Sequence, residues 1–303
     1  MEGGIPTRSR GTVTRQLRAS LPLGLLVLVY PLGVEADLQV QLPEKPVVQG
    51  DLRGLRVTAA EPLIGFEARF RGLSLPHRPE GGGAYTVLLA VDLETPPGPH
   101  PVEVKAQGRS GQRYHRRVQV TVADGRFPLQ HLTLPKAMVD LDAETLERVR
   151  REEAVLASIW ETWKGEPSWS HAFIAPLEGM PQVSSAFGLR RIINGQPRSP
   201  HTGVDFEAAA GTPVRASNRG VVAYAGELFF SGNSVIVHHG GGLFTMYYHL
   251  QGYRVAVEQE VAKGDILGWV GATGRVTGPH LHWGGRLQGA RFNPERLLQL
   301  AVP

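Results

Sequence analysis

Two stretches decide how the C-terminal half of this chain is read: His201-Thr202-Gly203-Val204-Asp205 and Thr277-Gly278-Pro279-His280-Leu281-His282-Trp283. In a strand, residues i and i+2 face the same side, so His280 and His282 project together while Leu281 turns the other way. The earlier stretch sets an imidazole and a carboxylate four residues apart around a Gly that disfavours regular helix. Each signal is weak alone, because a His-x-His pair arises by chance and a His-x-x-x-Asp is more often a hydrogen-bonded turn. A hydrolytic zinc site wants three protein ligands and an open position, and two His and one Asp drawn from these stretches would supply them. Six of the eleven His lie between 201 and 282. They sit among Gly-punctuated, strand-like segments at 220–224, 233–237 and 243–248, which predicts a β-scaffold carrying a site. Tyr248-His249-Leu250 adds a third His position to the same region.

The order of these elements resembles the lysostaphin/LytM-type zinc metallopeptidases, whose pattern is His-x-x-x-Asp, then a His ending a strand, then His-x-His. The likeness runs over about residues 180–298. It takes in Phe187-Gly188-Leu189-Arg190-Arg191, His201 to Phe206, Gly211-Thr212-Pro213-Val214, Tyr248-His249-Leu250, Val261 to Gly268, and Gly271-Ala272-Thr273-Gly274 leading into Thr277 to His282. The resemblance implies a lysostaphin-like antiparallel β-sheet peptidase domain over 169–303. It also implies one Zn²⁺ held by His201, Asp205 and His282, with His249 and His280 as an unligated catalytic pair. The implied function is an exported endopeptidase that hydrolyses peptide crosslinks of bacterial peptidoglycan. Trp283-Gly284 stand where Phe-Glu is usual, but Trp fills the same apolar slot and none of the five functional positions is lost.

Zinc would polarise a scissile carbonyl and lower the pKa of its bound water toward ~7. Asp205 adds an anionic ligand, and either His249 or His280 could take the water proton or stabilise the oxyanion. The alternative is a catalytically inactive domain of the same fold that binds cell wall or activates another wall hydrolase. Such versions should lose ligands, whereas all five positions are present here. Around the site, Asn233 and Tyr248 are candidates to orient substrate or bond a catalytic His, against the simpler readings of a turn Asn and a buried strand-end Tyr. Arg190 is a candidate partner for a substrate carboxylate, or else pairs with an acid of its own fold. His238 and His239 end an apolar strand and read as structural.

Composition bounds the rest. With 37 Gly and 23 Pro in 303 residues, turns and short strands should outnumber long helices. The absence of Cys excludes disulfides and a lipid-modified N-terminal cysteine, and leaves His, Asp and Glu to hold any metal. Arg8, Arg10, Arg15 and Arg18 precede an apolar stretch from Leu21 to Val34, and Val34-Glu35-Ala36 offers a cleavage site, so residues 1–36 read as a signal peptide. The stretch is too short and too broken by Pro and Gly to span a bilayer. The mature chain is thus expected in the periplasm or at the cell wall, without a membrane span. It stays mildly basic, and its one tight basic cluster, Arg113, Arg116 and Arg117, lacks interleaved aromatics, which argues against nucleic acid as a partner.

Residues 37–124 carry period-2 patterning at Phe66/Ala68/Phe70, Tyr85/Val87/Leu89/Val91 and Val118/Val120/Val122, divided by Gly- and Pro-rich turns. About six short strands at this spacing predict an immunoglobulin-like β-sandwich. Its His77, His100 and His115, with His131 beyond it, lack ligand spacing and are expected to face solvent. The linker 125–168 should hold one amphipathic helix from Asp142 to about Lys164, with Asp142 as cap and Leu146, Val149, Leu156, Trp160 and Trp163 on its apolar stripe. If sandwich and helix cover the groove, a chain beginning near Trp169 should fold alone and act faster on intact wall.

Overall fold

Alternating patterns in the first half become two sheets. The computed structural model describes Met1, Gly3, Gly4 and residues 38–133, 139–162, 165–169, 172–179 and 182–300; apart from those first three residues the expected signal peptide, and also Trp163, lie outside the described residues. Strands Gln39–Gln41, Leu52–Thr58, Ala84–Ala90 and His77–Gly81 form a four-stranded sheet. It faces a five-stranded sheet of Val47–Val48, Arg113–Ala123, Gly98–Gly108, Leu63–Phe70 and Leu73–Ser74. Leu55, Val57, Val87 and Leu89 of the first sheet close a core against Phe70, Val102, Val104 and Val120 of the second. His115 and His131 are exposed, as expected, while His77 and His100 are half-buried.

The strand Ala84–Ala90 departs from simple inside-outside alternation, because Leu88 and Ala90 are buried on its other face. They join a second core with Phe187, Phe292, Leu297 and Leu300. That sandwich face is therefore covered by the C-terminal half of the chain, and burial on both sides removes the polar partner positions that alternation requires. Polar contacts ring this junction. The Arg291 side chain donates two hydrogen bonds to Asp92, at 2.9 and 2.8 Å, and its backbone N–H a third, at 2.8 Å; Arg296 lies 2.7 Å from the Asp51 carboxylate, and Arg78 donates to the Trp169 carbonyl at 2.7 Å.

The C-terminal half is built on one large antiparallel sheet. Its strand order is Val183–Ser185, Gly203–Glu207, His280–Leu287, Leu243–Tyr253, Gly232–His238, Gly220–Leu228 and Glu260–Val261. Val204, Phe206, Val235, Val237, Tyr247, Leu281 and Trp283 point from one face into the shared core. Ala223, Ile236, Phe244 and Met246 point from the opposite face, and there the helix Ala143–Thr162 lies across the sheet through Leu156, Ile159 and Trp160. Asp142 caps the helix as expected, its carboxylate accepting from Thr145 N–H at 2.8 Å.

Val149, Leu156 and Trp160 of the expected stripe turn inward, joined by Ile159, while Leu146 turns out. Val149 and Ile159 are the buried positions and Leu146 is 39% exposed, because polar anchors also set the helix azimuth: Glu152 accepts from Phe229 N–H at 2.8 Å and from Arg148 at 2.7 Å. The stretch between sandwich and helix is not merely a connector. Its strand Leu129–Leu132 pairs in parallel with Arg190–Ile193. Among the described residues no helix is long and apolar enough to cross a membrane.

Candidate active site

Strand register brings the two motifs together. Gly203–Glu207 and His280–Leu287 pair antiparallel with Asp205 directly opposite His282, so both side chains leave the same face of the sheet. His201, just before its strand, is held by backbone pairing with the Phe187-Gly188-Leu189 turn: Gly188 N–H donates to its carbonyl at 2.8 Å, and its own N–H donates to Leu189 O at 2.9 Å. The result is a tight cluster. His201 Nε2 lies 3.0 Å from both Asp205 Oδ1 and His282 Nδ1, and the last two atoms are 2.8 Å apart. All three residues are buried. Among the described residues they are the one group of His, Cys, Asp or Glu whose donor atoms converge in this way.

The donor set suits a divalent cation. His201 Nδ1 meets the Ala186 carbonyl at 2.8 Å; a carbonyl only accepts, so this nitrogen carries the proton and Nε2 turns its lone pair to the cluster. Burial alone would raise the Asp205 carboxyl, but the imidazoles of His201 and His282 hold it well below the usual carboxylate range, so it is an anion near neutral pH. Burial pushes His282 down despite Asp205 beside it, which favours the neutral imidazole a metal needs. Two nitrogens, one carboxylate oxygen and open space beside them match a hydrolytic zinc centre better than the all-oxygen shells of calcium or magnesium. Gly203 makes room for the arrangement: a Cβ there would sit 2.5 Å from His282 Nε2 and 2.4 Å from the Trp283 carbonyl oxygen.

His249 and His280 border the cluster. His280 Nε2 is 3.9 Å from Asp205 Oδ1, and the His249 ring centroid is 4.8 Å from that of His280 and 6.1 Å from that of His282. Both rings are oriented through Nδ1, His249 against the Thr273 carbonyl and His280 against Gly278, each at 2.9 Å. That leaves each Nε2 with a lone pair. Burial pushes the His249 imidazole down to about 3. Alternation along Leu243–Tyr253 would place His249 on the face opposite Tyr248. Yet the Tyr248 ring stacks 5.5 Å from His282, and His249 reaches the same face because its backbone adopts φ 63°, a conformation non-glycine residues rarely take.

Other expectations fare unevenly. Tyr248 lines the cavity of about 580 Å³ above the cluster, as do Gln130 and Leu132 from the expected linker. Asn233 does not; its side chain donates to Gln251 O at 3.2 Å. Arg190 is occupied elsewhere, 3.5 Å from Glu94 and over the Phe127 ring. Its neighbour Arg191 faces the cavity instead, and strand alternation could have shown that the two diverge. His239 is structural as expected, bonded to the Arg219 carbonyl at 2.7 Å and Thr245 Oγ1 at 2.8 Å, and His238 packs on Phe244. Trp283 is fully buried beside Phe206, and Gly284 leaves the space that Met246 fills.

Comparisons with known proteins identify the family. The model of peptidase family M23 matches residues 199–294. A Pseudomonas aeruginosa protein assigned to peptidase M23, whose crystal structure is known, is 30% identical over 84% of this chain and 95% of its own, with a TM-score of 0.64. DD-carboxypeptidase/endopeptidase Mpg of Neisseria meningitidis serogroup B is 43% identical over 122 residues, which are 40% of this chain and 27% of that protein. Peptidoglycan DD-endopeptidase ShyC of Vibrio cholerae is 39% identical over 125 residues, 41% of this chain and 29% of that one. The chain thus spans little more than a quarter of the length of these curated relatives. Because the likeness to the Pseudomonas aeruginosa protein covers nearly all of that protein, this chain belongs to peptidase family M23.

Proposed function

We propose that the protein is a zinc-dependent endopeptidase, exported to the periplasm or cell wall, that hydrolyses peptide crosslinks of peptidoglycan. The observation that carries the reading is the convergence of His201, Asp205 and His282 donor atoms within 3.0 Å of one another at the floor of an open cavity flanked by two further imidazoles. In this reading those three residues hold one zinc ion. Zinc bound there would supply Lewis acidity toward the scissile carbonyl and ease deprotonation of water near neutral pH.

The chain's own residues do the remaining work. His249 and His280, each fixed through Nδ1, present Nε2 to the cavity; one takes the proton of the attacking water and delivers it to the leaving amine, while the other, protonated, donates to the developing oxyanion. Tyr248 stacks on His282 and limits its rotation. Relatives named as peptidoglycan DD-endopeptidases support peptidoglycan as substrate, and the Arg-rich start followed by the apolar stretch from Leu21 to Val34 supports export. The test is digestion of purified crosslinked peptidoglycan by the mature chain, with products identified by mass and zinc content measured in parallel. Crosslinked dimers should fall to monomers in a chelator-sensitive way; intact dimers after incubation with zinc-loaded protein would overturn the reading.

A further inference from the structure

One wall of the cavity is positively charged in a way the metal cluster does not explain. Arg191 lines it with its side chain only 28% exposed. Its nearest carboxylate is Asp205 Oδ2, 3.9 Å from Nη2, too far for a hydrogen bond. Its Nε is buried without a hydrogen-bond partner among the described residues. A second guanidinium, Arg275, lines the same cavity and lies over the Phe230 ring, 4.1 Å from its centroid, which holds it flat and half-buried. Burial, then the charges of Arg191 and Arg198, lower the Arg275 pKa, so the two groups repel across shared space. The Asp205 charge is already engaged by two imidazoles and, on the reading above, by the metal. A half-buried guanidinium such as Arg191, with a second cation near it and an Nε donor that no described residue accepts, is costly unless an anion completes it. Guanidinium groups match carboxylates in bidentate fashion.

We infer that Arg191 and Arg275 form a carboxylate subsite, and that the preferred substrate carries a free carboxylate beside the scissile amide. A crosslink through a diamino acid with a free carboxyl meets that requirement; a neutral Gly-Gly bridge does not. This rests on reading the cavity as the peptide-cleaving groove. It assigns to Arg191 and Arg275 the recognition that Arg190, tied to Glu94, does not perform.

The test uses the full mature, zinc-loaded chain and two uncleavable peptides in which a CO–CH₂ link replaces the scissile amide. One carries a free carboxylate on the residue after the link and the other a carboxamide, and binding is read by calorimetry. The wild type should favour the carboxylate peptide by about 30-fold or more, the usual scale of a charge-assisted pair. Arg191→Met and Arg275→Met should each cut that ratio by about 10-fold, with zinc content and circular dichroism unchanged. Equal binding of both peptides by the wild type overturns the subsite without help from any variant. A preference that survives in both folded variants means the carboxylate is bound elsewhere, at the metal for instance, and overturns the assignment too. Peptidoglycan digestion is a separate measurement, so an inactive protein that still discriminates the peptides would defeat the endopeptidase reading and leave the subsite standing.

Discussion

Asp205 and His282 face each other across paired antiparallel strands, with Oδ1 and Nδ1 2.8 Å apart. Neither depends on a loop for its position. A cross-strand pair fixed by ladder hydrogen bonds holds its geometry to a fraction of an ångström, and His201 completes it from a segment pinned on both backbone sides. Preorganised donors of this kind bind metal without first having to be gathered.

Removing one ligand tests the metal assignment. The wild type should retain one zinc per chain after dialysis, and His282→Ala should bind it more weakly by at least about 10²-fold. Elemental analysis after dialysis against graded chelator reads the difference; equal retention would place the metal elsewhere.

His280→Ala and His249→Ala should behave differently from the ligand variant. Each should keep zinc and lose about 10²-fold or more in turnover, the usual scale of an acid–base or oxyanion contribution. Steady-state rates on a crosslinked dimer, with metal content measured on the same samples, separate the two classes.

Gly203→Ala should disturb the cluster without touching a donor. Its new Cβ would press on the His282 ring and the Trp283 carbonyl, so we expect a loss of about 1–3 kcal/mol in stability together with weaker zinc binding. Gly65→Ala is the control, since nothing lies closer than 3.8 Å to a Cβ there. Thermal unfolding with and without zinc distinguishes them.

The bond between Asp92 and Arg291 should make the junction sensitive to acid. Burial raises the Asp92 carboxyl, but Arg291 hydrogen bonds and charge outweigh it and hold the group below its ordinary value. A depressed folded-state pKa gives stability that is present above the unfolded value of about 3.9 and is lost as pH falls through the folded one. Asp92→Asn should therefore cost about 2 kcal/mol at pH 7 and progressively less below pH ~4. Urea titrations at both pH values check the sign.

Truncation near Trp169 should be harmful. It would bare Phe187, Phe292, Leu297 and Leu300, which share a core with Leu52, Leu88, Ala90 and Leu93, and strip Arg190–Ile193 of its parallel partner Leu129–Leu132. The shortened chain should bind a hydrophobic dye and melt at lower temperature than the mature protein; a cooperative fold of equal stability would show that the junction contributes little.

The His-x-His pair, the cap at Asp142 and the strand-rich first half were legible from sequence because they depend on periods of two and 3.6, which are properties of neighbouring residues. The five-residue His/Asp constellation was legible as an ordered set, through its likeness to a known family. What only the tertiary structure decided concerns partners far apart in the chain. His249 turns toward the cluster through a left-handed backbone within a strand, where alternation points the other way. Leu88 and Ala90 are buried by a segment some 200 residues later, and Arg291 meets Asp92 across the same span. Arg190 and Arg191 are adjacent and chemically identical, and which of them faces the cavity depends on Glu94 and Phe127 waiting on the other side. Local spacing sets which face a side chain takes relative to its neighbours, and long-range packing sets which face is the groove.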